Sequence, residues 1–463
     1  MSDDVRLRRE GRLRLGFLTN VPFTSEPGGA RRGLDEAIAT FAYAEAIGFD
    51  TGWVRQRHFD NYLAAPLTLL AAVSQRTERI RLGTGIVSIR YEDPIRFAED
   101  ASTVDLLSGG RLELGLAGGM PGFEAVFGAL DRDYRDETQH RIRVFRDAIA
   151  GRPVEFRSPE LIVGEPPELI VRPRAPELGD RLWYGAGSAP SAVTTARIGL
   201  DLLQSTLNLN PTADTFEKAQ RNTIEAYLDA WERPRRPRVC VSRLFMPAVN
   251  QRQRELYAAF DAIRQAEGPA GPRLAGAQEP GMFQRTLRRE EDQLRNVQLC
   301  PIYHGDPGYV LDRAQADDAL QFADELMIWL PPNFTLAESK ELLDNIVEFV
   351  APELGWRPAE AVTIDCSSRK PTLNEVEHQR QRRPGGPSGS DRGVRPQQHQ
   401  RVVQGLQGHA PHGRLRGGEQ PDPEPGHDQV LDQLEAVRPV RDPGLESGHR
   451  AEHAEHFVVG GVA

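Results

Sequence analysis

The sequence predicts an α/β fold, a (β/α)8 TIM barrel with a long insertion between strands seven and eight and a disordered C-terminal tail. Residues 13–350 alternate short apolar runs with segments whose apolar residues recur at helical spacing. Eight such runs can be counted, and a helix-like segment follows all of them except the seventh, which is the alternation that this barrel needs. Residues 80–119 show the pattern most clearly, as one strand–helix–strand crossover.

The strands are predicted where a short apolar run meets Gly, Pro or charged residues. Their carboxyl ends matter for function, because α/β barrels bind ligands at that end. The eight predicted strands are Leu13–Thr19, Thr51–Arg55, Ile80–Ile89, Arg111–Leu116, Arg181–Ala186, Asp201–Gln204, Arg238–Pro247 and Glu325–Leu330.

The helices are predicted from apolar spacing together with start and stop signals. Gly48 ends the first helix, Pro66 lies in the first turn of the second, and Gly109 follows the third. The predicted helices are Leu34–Ile47, Pro66–Ser74, Pro94–Leu107, Glu137–Ile149, Pro190–Ile198, Phe216–Trp231 and Leu336–Val350.

Residues 1–360 form the predicted barrel domain. The connection 250–324 is too long for one crossover and contains GPAGPRLAGAQEPG and RTLRREEDQLR. A connection of this length is usually functional or disordered. A lid over the barrel and a disordered insertion are therefore both compatible with it.

Residues 367–463 form a predicted low-complexity tail. Eight of the 11 His lie there, Arg, Gln, Gly and Pro are dense, and long apolar runs are missing. Such a segment buries too little apolar surface to offset its ordering entropy, which indicates disorder. Translation in a shifted frame would give the same bias. The scattered His lack metal-ligand spacing, so we expect the function to lie in the barrel.

Composition excludes several classes of protein. The net charge is −10 and no basic run alternates with aromatic residues, which argues against nucleic acid as a partner. No apolar segment reads as a signal peptide or a membrane span. The three Cys lie far apart and form no CxxC pair, so neither zinc nor a disulfide framework is indicated. We expect a cytoplasmic protein.

Two segments carry candidate chemistry at strand ends. RQRHF (55–59) follows strand two and places Gln56, Arg57 and His58 at the barrel mouth. His58 could carry a proton or bond to a bound ring, or it could simply anchor its loop. GAGSAPSAVTTARIGLD (185–201) runs from strand five into a helix, which suits a phosphate, although Ser is also an ordinary helix cap.

A third segment, LAGGMPGFEAVFG (116–128), follows strand four. Its glycines permit close approach of the backbone to a ligand, while a loop that binds nothing is the alternative. Arg132 and Arg135 lie just beyond and could reach an anion, or they could be surface residues.

Four motifs together resemble the bacterial luciferase-like monooxygenase family, in its FMN-dependent group. They are AEAIGFDTGWVRQRHF, RIRLGTGIVSI, EDPIRFAEDASTVDLLSGGRLELGLAGG and WYGAGSAPSAVTTARIGLDLL, and the resemblance covers about residues 13–354. The third motif is the most specific.

The resemblance implies a cofactor site for FMN. Ser188, Ser191 and the backbone around Gly187 match the family's phosphate site, and Arg135 matches an arginine that pairs with the same phosphate. Gly85 and Ile86 match a non-proline cis peptide under the flavin ring. Gly118 and Gly119, at the end of strand four, also match positions of the cofactor site. Luciferase has an Arg-Gly pair there, which implies that one of the arginines that bind the phosphate is absent from this chain.

The chain departs from the family at strand two, where Glu-His-His-Phe is common and this chain has Gln56, Arg57, His58 and Phe59. Arg57 stands where luciferases have the proposed catalytic base. Arginine cannot act as a base at neutral pH, but it could stabilise an anion formed during the reaction.

The resemblance therefore implies a monooxygenase that uses reduced FMN and O2 to oxygenate a small organic substrate, with His58 and Arg57 as catalytic residues. The chain has no GxGxxG after a strand, so a separate flavin reductase is expected. A homodimer is also expected. The alternatives are a deazaflavin-dependent dehydrogenase on the same barrel and a non-catalytic flavin-binding barrel.

Overall fold

The computed structural model describes residues 11–119, 124–127, 134–155, 168–267 and 297–358. These residues belong to one compact unit. The predicted tail lies outside them, so the division into a barrel and a tail domain stays a prediction. None of the described helices is long and apolar enough to cross a membrane.

Eight parallel strands close into a barrel, which confirms the predicted fold. They are β1 (Arg14–Thr19), β2 (Thr51–Val54), β3 (Arg81–Ser88), β4 (Leu112–Ala117), β5 (Leu182–Ala186), β6 (Asp201–Gln204), β8 (Val239–Pro247) and β11 (Glu325–Trp329). Each strand pairs with its neighbour in this order, and β11 pairs with β1 to complete the ring. Three further short strands are β7 (Leu207–Leu209), β9 (Val297–Leu299) and β10 (Ile302–Gly305).

The helices lie outside the barrel strands in the expected alternation. They are α1 (Gly29–Ala46), α2 (Pro66–Ser74), α3 (Pro94–Leu107), α4 (Glu124–Phe127), α5 (Tyr134–Ile149), α6 (Ala189–Ile198), α7 (Phe216–Asp229), α8 (Gln251–Glu267), α9 (Pro307–Gln315) and α10 (Leu336–Phe349). Polar caps define several starts: the Asp93 carboxylate accepts backbone hydrogen bonds at the start of α3, and Thr335 forms a capping box with Glu338 at α10. The first helix begins at Gly29, five residues before the predicted start.

The insertion between the seventh and eighth barrel strands contains regular structure on both sides of residues 268–296, which lie outside the described part. Helix α8 packs with Tyr257 and Phe260 against Phe334, which follows β11. Strand β10 continues the sheet beside the second half of β8. Strand β9 pairs antiparallel with β7. This part of the insertion therefore covers the β8–β11 side of the mouth.

The amino end of the barrel interior is closed by buried charges and two indole rings. The Trp53 indole donates to Glu325 Oε1 at 2.6 Å, and the Trp183 indole donates to Glu113 Oε2 at 2.7 Å. The two rings pack edge to face, with centroids 5.7 Å apart. Gly16 leaves room for the Glu325 carboxylate, since a Cβ there would lie 2.5 Å from Oε1.

The two acids at this end have opposite pKa shifts. Burial raises the pKa of Glu325 to about 7. Burial would also raise the pKa of Glu113, but the charges of Arg238 and Arg81 outweigh it and lower that pKa. Glu113 is therefore a paired carboxylate, while Glu325 is a carboxyl group that loses its proton with difficulty.

A second buried ion pair ties β8 to the segment before β11. Arg243 donates to Asp317 at 2.5 Å and to the Gln220 amide oxygen at 2.6 Å, and both charged side chains are fully buried. Removing one partner would leave the other charge unpaired in the interior.

Candidate active site

A pocket lies between α5 and α6 outside the carboxyl end of β5. Its volume is about 50 Å³, above the 10–15 Å³ or so that a single water needs. The lining side chains are Arg135, Thr138, Gln139, Ile142, Tyr184, Pro190, Ser191, Thr194, Thr195 and Ile198. The structure therefore brings together Arg135 and Ser191, two residues that the family resemblance placed at one phosphate.

Ser188 occupies the cap position of α6 but does not cap it. Its side chain makes no capping hydrogen bond, whereas Asp93, Thr215 and Thr335 each cap their own helices. The Ser188 side chain is 5% exposed, and Oγ has no hydrogen-bond partner among the described residues. A buried hydroxyl without a partner is costly, so the simple alternative of an ordinary cap does not account for Ser188.

The pocket lies close to two positive charges. The Tyr184 hydroxyl is hydrogen-bonded to the backbone of Gly118, at the end of β4. Burial raises the pKa of Tyr184 to about 12, and the charges of Arg90 and Arg135 act in the opposite direction. Arg90 follows β3 and is buried. Arg90 is thus a second arginine close to the pocket, and the sequence did not indicate it.

The glycines at the ends of β4 and β5 lie in close contact with neighbouring segments. Gly119 has φ +79°, and a Cβ there would lie 2.8 Å from both Ser88 Cβ and Tyr91 Cζ. The Gly187 carbonyl accepts a hydrogen bond from the Leu209 amide at 2.8 Å. These contacts hold the loops after three strands against one another at the mouth.

The peptide bond between Gly85 and Ile86 is cis, as the resemblance implied. It lies in β3 between Thr84 and Val87, where the pairing with β4 shifts register. Ile86 is buried. The placement of this bond under a flavin ring stays a prediction.

Gln56 joins the loops that follow β2 and β3. Its Nε2 donates to Ala64 O and to Glu92 Oε1, both at 3.2 Å, and its Oε1 accepts from Ser88 N at 2.8 Å. Burial raises the pKa of Glu92. Gln56 is thus fully engaged in holding the mouth together, and the sequence did not indicate this role.

His58 lies among aromatic rings from three segments. Its ring centroid is 4.8 Å from Phe127, 5.6 Å from Tyr91 and 6.0 Å from Phe59. Burial lowers the pKa of His58, so the imidazole is neutral at neutral pH. Its buried Nε2 has no hydrogen-bond partner in the described part of the chain. Within the described residues, His58 therefore does not anchor its loop through a hydrogen bond of Nε2.

Arg57 is half-buried, and its backbone amide donates to Leu63 O at 2.8 Å. Next to it, Arg55 is buried, and Arg264 of α8 reaches the same region. The guanidinium carbons of Arg55 and Arg264 lie 5.8 Å and 4.9 Å from the ring centroid of Trp329, the last residue of β11. The sequence missed both: Arg55 was assigned to the strand, and Arg264 lies in the insertion.

Within the described residues, no group of His, Cys, Asp and Glu is arranged to hold a metal ion. Arg132 lies outside those residues, as does most of the loop 120–133. The sequence-predicted positions thus fall into two groups at the same end of the barrel: a pocket at β5, α5 and α6, and the residues that follow β2 and β3.

The family model for luciferase-like monooxygenases matches residues 13–347. The chain belongs to this family. The match spans the entire barrel, from β1 to most of α10, and agrees with the resemblance of the four sequence motifs.

Curated relatives align over parts of their length. The chain is 33% identical to 4-hydroxyprotoasukamycin monooxygenase of Streptomyces nodosus subsp. asukaensis, over 24% of this chain and 30% of that protein. It is 31% identical to the oxygenase component of the flavin-dependent trigonelline monooxygenase of Acinetobacter baylyi, over 24% and 32%. Limonene 1,2-monooxygenase of Rhodococcus erythropolis is 26% identical, over 44% and 54%. The chain thus spans at most about half of these relatives.

Solved structures share the fold. A monooxygenase from Streptomyces bottropensis has a TM-score of 0.55 at 18% identity, covering 73% of this chain and 99% of that one. The oxygenating constituent of 3,6-diketocamphane monooxygenase of Pseudomonas putida, in complex with FMN, has a TM-score of 0.55 at 17% identity, covering 74% and 98%. An F420-dependent secondary alcohol dehydrogenase has a TM-score of 0.52 at 14% identity, covering 74% and 99%.

Proposed function

We propose that the chain is a flavin-dependent monooxygenase that uses reduced FMN and O2 to oxygenate a small organic substrate. The observation that carries the proposal is Ser188, a buried hydroxyl without a hydrogen-bond partner among the described residues, at the start of α6. Family membership and the names of the relatives support oxygenation as the reaction.

The residues present fit the phosphate of FMN. The first turn of α6 has no acidic residue, and helix amino ends favour anions. Ser188 would give its hydroxyl to the phosphate, Ser191 and Arg135 would bind it from the pocket, and Arg90 would add positive charge nearby. Gly187, Gly118 and Gly119 would let the backbone approach the cofactor. The Gly85–Ile86 peptide, which carries no side chain at Gly85, would face the ring.

FMN, when bound, supplies the electrons that activate O2. The protein's residues would exclude water and position the reacting groups. His58 is neutral and can form one hydrogen bond through its buried Nε2 to a bound ring or substrate. Arg57 would stabilise negative charge that develops near the mouth, because it cannot act as a base.

The first test compares FMN with riboflavin, which lacks only the phosphate. We expect tighter binding of FMN, and a roughly 10-fold or greater loss of FMN affinity in Arg135→Ala, the range for hydrogen bonds to charged groups. Ser188→Ala should weaken FMN binding by a few-fold, since one neutral donor is removed. Riboflavin affinity should change little in both variants.

The matched control is Arg143→Ala, which removes the same charge from α5 at an exposed position away from this pocket. It should leave FMN affinity unchanged. Equal affinity for FMN and riboflavin, or equal losses in Arg135→Ala and Arg143→Ala, would refute the phosphate site.

The second test separates the three functions. Oxygen uptake with reduced FMN that rises with an organic substrate and yields an oxygenated product supports the monooxygenase. Tighter binding of the deazaflavin and hydride transfer without oxygen would support the dehydrogenase instead. Oxygen uptake that releases only hydrogen peroxide across a broad substrate panel would indicate a non-catalytic flavin-binding barrel.

We further propose that a separate flavin reductase supplies reduced FMN, since the sequence has no nicotinamide fingerprint. Activity that appears only when a reductase is added would support this. The homodimer and the cytoplasmic location remain predictions, which light scattering and cell fractionation would check.

A further inference from the structure

Three arginines converge at the mouth on the side of β1, β2 and β11. Arg55 follows β2, Trp329 ends β11, and the Trp329 indole donates to Asn20 Oδ1 at 3.0 Å, just past β1. Helix α8 brings Arg264 to the same indole ring, and Arg57 lies close enough to Arg55 for their charges to repel. In the ring of eight strands, β1 lies opposite β5, so this cluster is separate from the phosphate pocket.

Two of these arginines, Arg55 and Arg264, have no paired anion among the described residues. Arg55 and Arg264 are 7% and 6% exposed, and neither makes an ion pair among the residues the structure describes. Arg55 Nε is buried without a hydrogen-bond partner there. Within the described residues, Asp60 acts on Arg57, while Asp261 acts on Arg264 and lies 3.4 Å from His304.

Such an arrangement is unfavourable in the free protein. Burial, followed by the charges of Arg57 and Arg264, lowers the pKa of Arg55 to about 9. Arg55 still carries its charge at neutral pH. Buried cations normally have a paired anion, so a missing partner indicates that a ligand supplies it.

We propose that Arg55, Arg57 and Arg264 form a subsite for the carboxylate of an organic substrate. This inference rests on the proposed function, because it assigns the substrate class of the same active site. The planar fork of a guanidinium matches a carboxylate, and two of the three guanidinium groups are held in place beside the buried indole ring of Trp329. The substrate would thus be held at β1, across the mouth from the cofactor phosphate.

The test uses two pairs of probes, benzoate with benzamide and hexanoate with hexanamide, titrated into the full chain by calorimetry. Each amide has the shape of its acid without the charge. We expect the acids to bind and the amides to bind at least roughly tenfold more weakly, as loss of a charged hydrogen bond predicts. Equal affinity within both pairs would overturn the proposal.

Arg264→Met and Arg55→Met locate the site. Methionine keeps an apolar stem against Trp329, so we expect a roughly tenfold or greater loss of benzoate affinity. The melting temperature without ligand should be unchanged or higher, because an unpaired buried charge is removed. A lower melting temperature with unchanged benzoate affinity would instead show a structural role and overturn the proposal.

Two control variants complete the design. Arg143→Met, an exposed arginine on α5, should not alter benzoate affinity, which excludes a general effect of charge. Arg135→Met should weaken FMN and leave benzoate unchanged. Benzoate binding lost in Arg135→Met would place the anion in the phosphate pocket and overturn the subsite. If the chain binds no FMN, the proposed function fails, while the benzoate titration still tests the subsite by itself.

Discussion

The buried carboxyl group of Glu325, at the amino end of the barrel, predicts how the stability of the protein depends on pH. Burial raises its pKa from 4.5 to about 7, with the Trp53 indole acting in the opposite direction. The folded chain therefore keeps this proton between about pH 4.5 and 7, while the unfolded chain loses it. The contribution of Glu325 to stability falls as pH rises through that window, and above about pH 7 it is constant.

The perturbation is Glu325→Gln, which resembles the protonated acid and retains an acceptor for the Trp53 indole. One pKa unit corresponds to about 1.4 kcal/mol, so ionised Glu325 costs the folded state about 3 kcal/mol above pH 7. We expect Glu325→Gln to be more stable than the natural chain by up to about 3 kcal/mol at about pH 8, and nearly equal to it at about pH 4.5.

The assay is urea unfolding followed by tryptophan fluorescence at several pH values. Glu353→Gln removes an exposed carboxylate at the end of the described chain and serves as the matched control. A Glu325→Gln variant less stable than the natural chain at about pH 8, or a difference independent of pH, would refute the reasoning. Either result would mean that Glu325 is ionised in the folded barrel.

Three further predictions concern packing and the mouth. Asp317→Ala leaves Arg243 buried without its carboxylate and should lower the free energy of unfolding by about 3–5 kcal/mol in urea; a loss below about 1 kcal/mol would contradict the buried pair. Gly119→Ala places a Cβ against Tyr91 at positive φ and should destabilise by about 1–3 kcal/mol and weaken FMN binding, whereas unchanged values of both would refute the close contact. His58→Phe keeps the aromatic packing but removes Nε2, so the melting temperature should hold while oxygenation falls; unchanged oxygenation would exclude a catalytic role.

The barrel was predictable from the sequence because each strand and helix carries a local signal. Apolar runs and capping residues lie within a few positions of the elements that they define, as Asp93 does for α3. The predicted and observed strand ends differ by at most one residue, as at β2, which ends at Val54 rather than Arg55. This difference affected the predicted site, because Arg55 was assigned to the strand and was not considered as a residue of the barrel mouth.

The insertion was not predictable in the same way. Leu256, Tyr257 and Phe260 recur at helical spacing in α8, but the Gly- and Pro-rich run that follows led the whole connection to be treated as a loop. The pairing of β7 with β9 joins three-residue strands separated by about ninety positions in the chain. A local pattern cannot predict a pairing of that kind, because its stability comes from the distant partner.

The candidate site was partly predictable for a related reason. Residue types near strand ends placed His58 and Arg57 at the mouth, and helix-start chemistry pointed to Ser188. The sequence could not show that Ser188 leaves its own helix uncapped, or that rings from separate segments surround His58. Those facts depend on which side chains meet after folding.

Gln56 makes the junction of these loops independent of a charge at position 56. Its amide gives two hydrogen bonds, one of them to Glu92, and receives one from Ser88. The family's common Glu at this position would lack the amide donors and would place a second carboxylate beside Glu92. With Glu at position 56, the contact to Glu92 could persist only if one of the two carboxyl groups kept its proton, which would make this part of the mouth sensitive to pH.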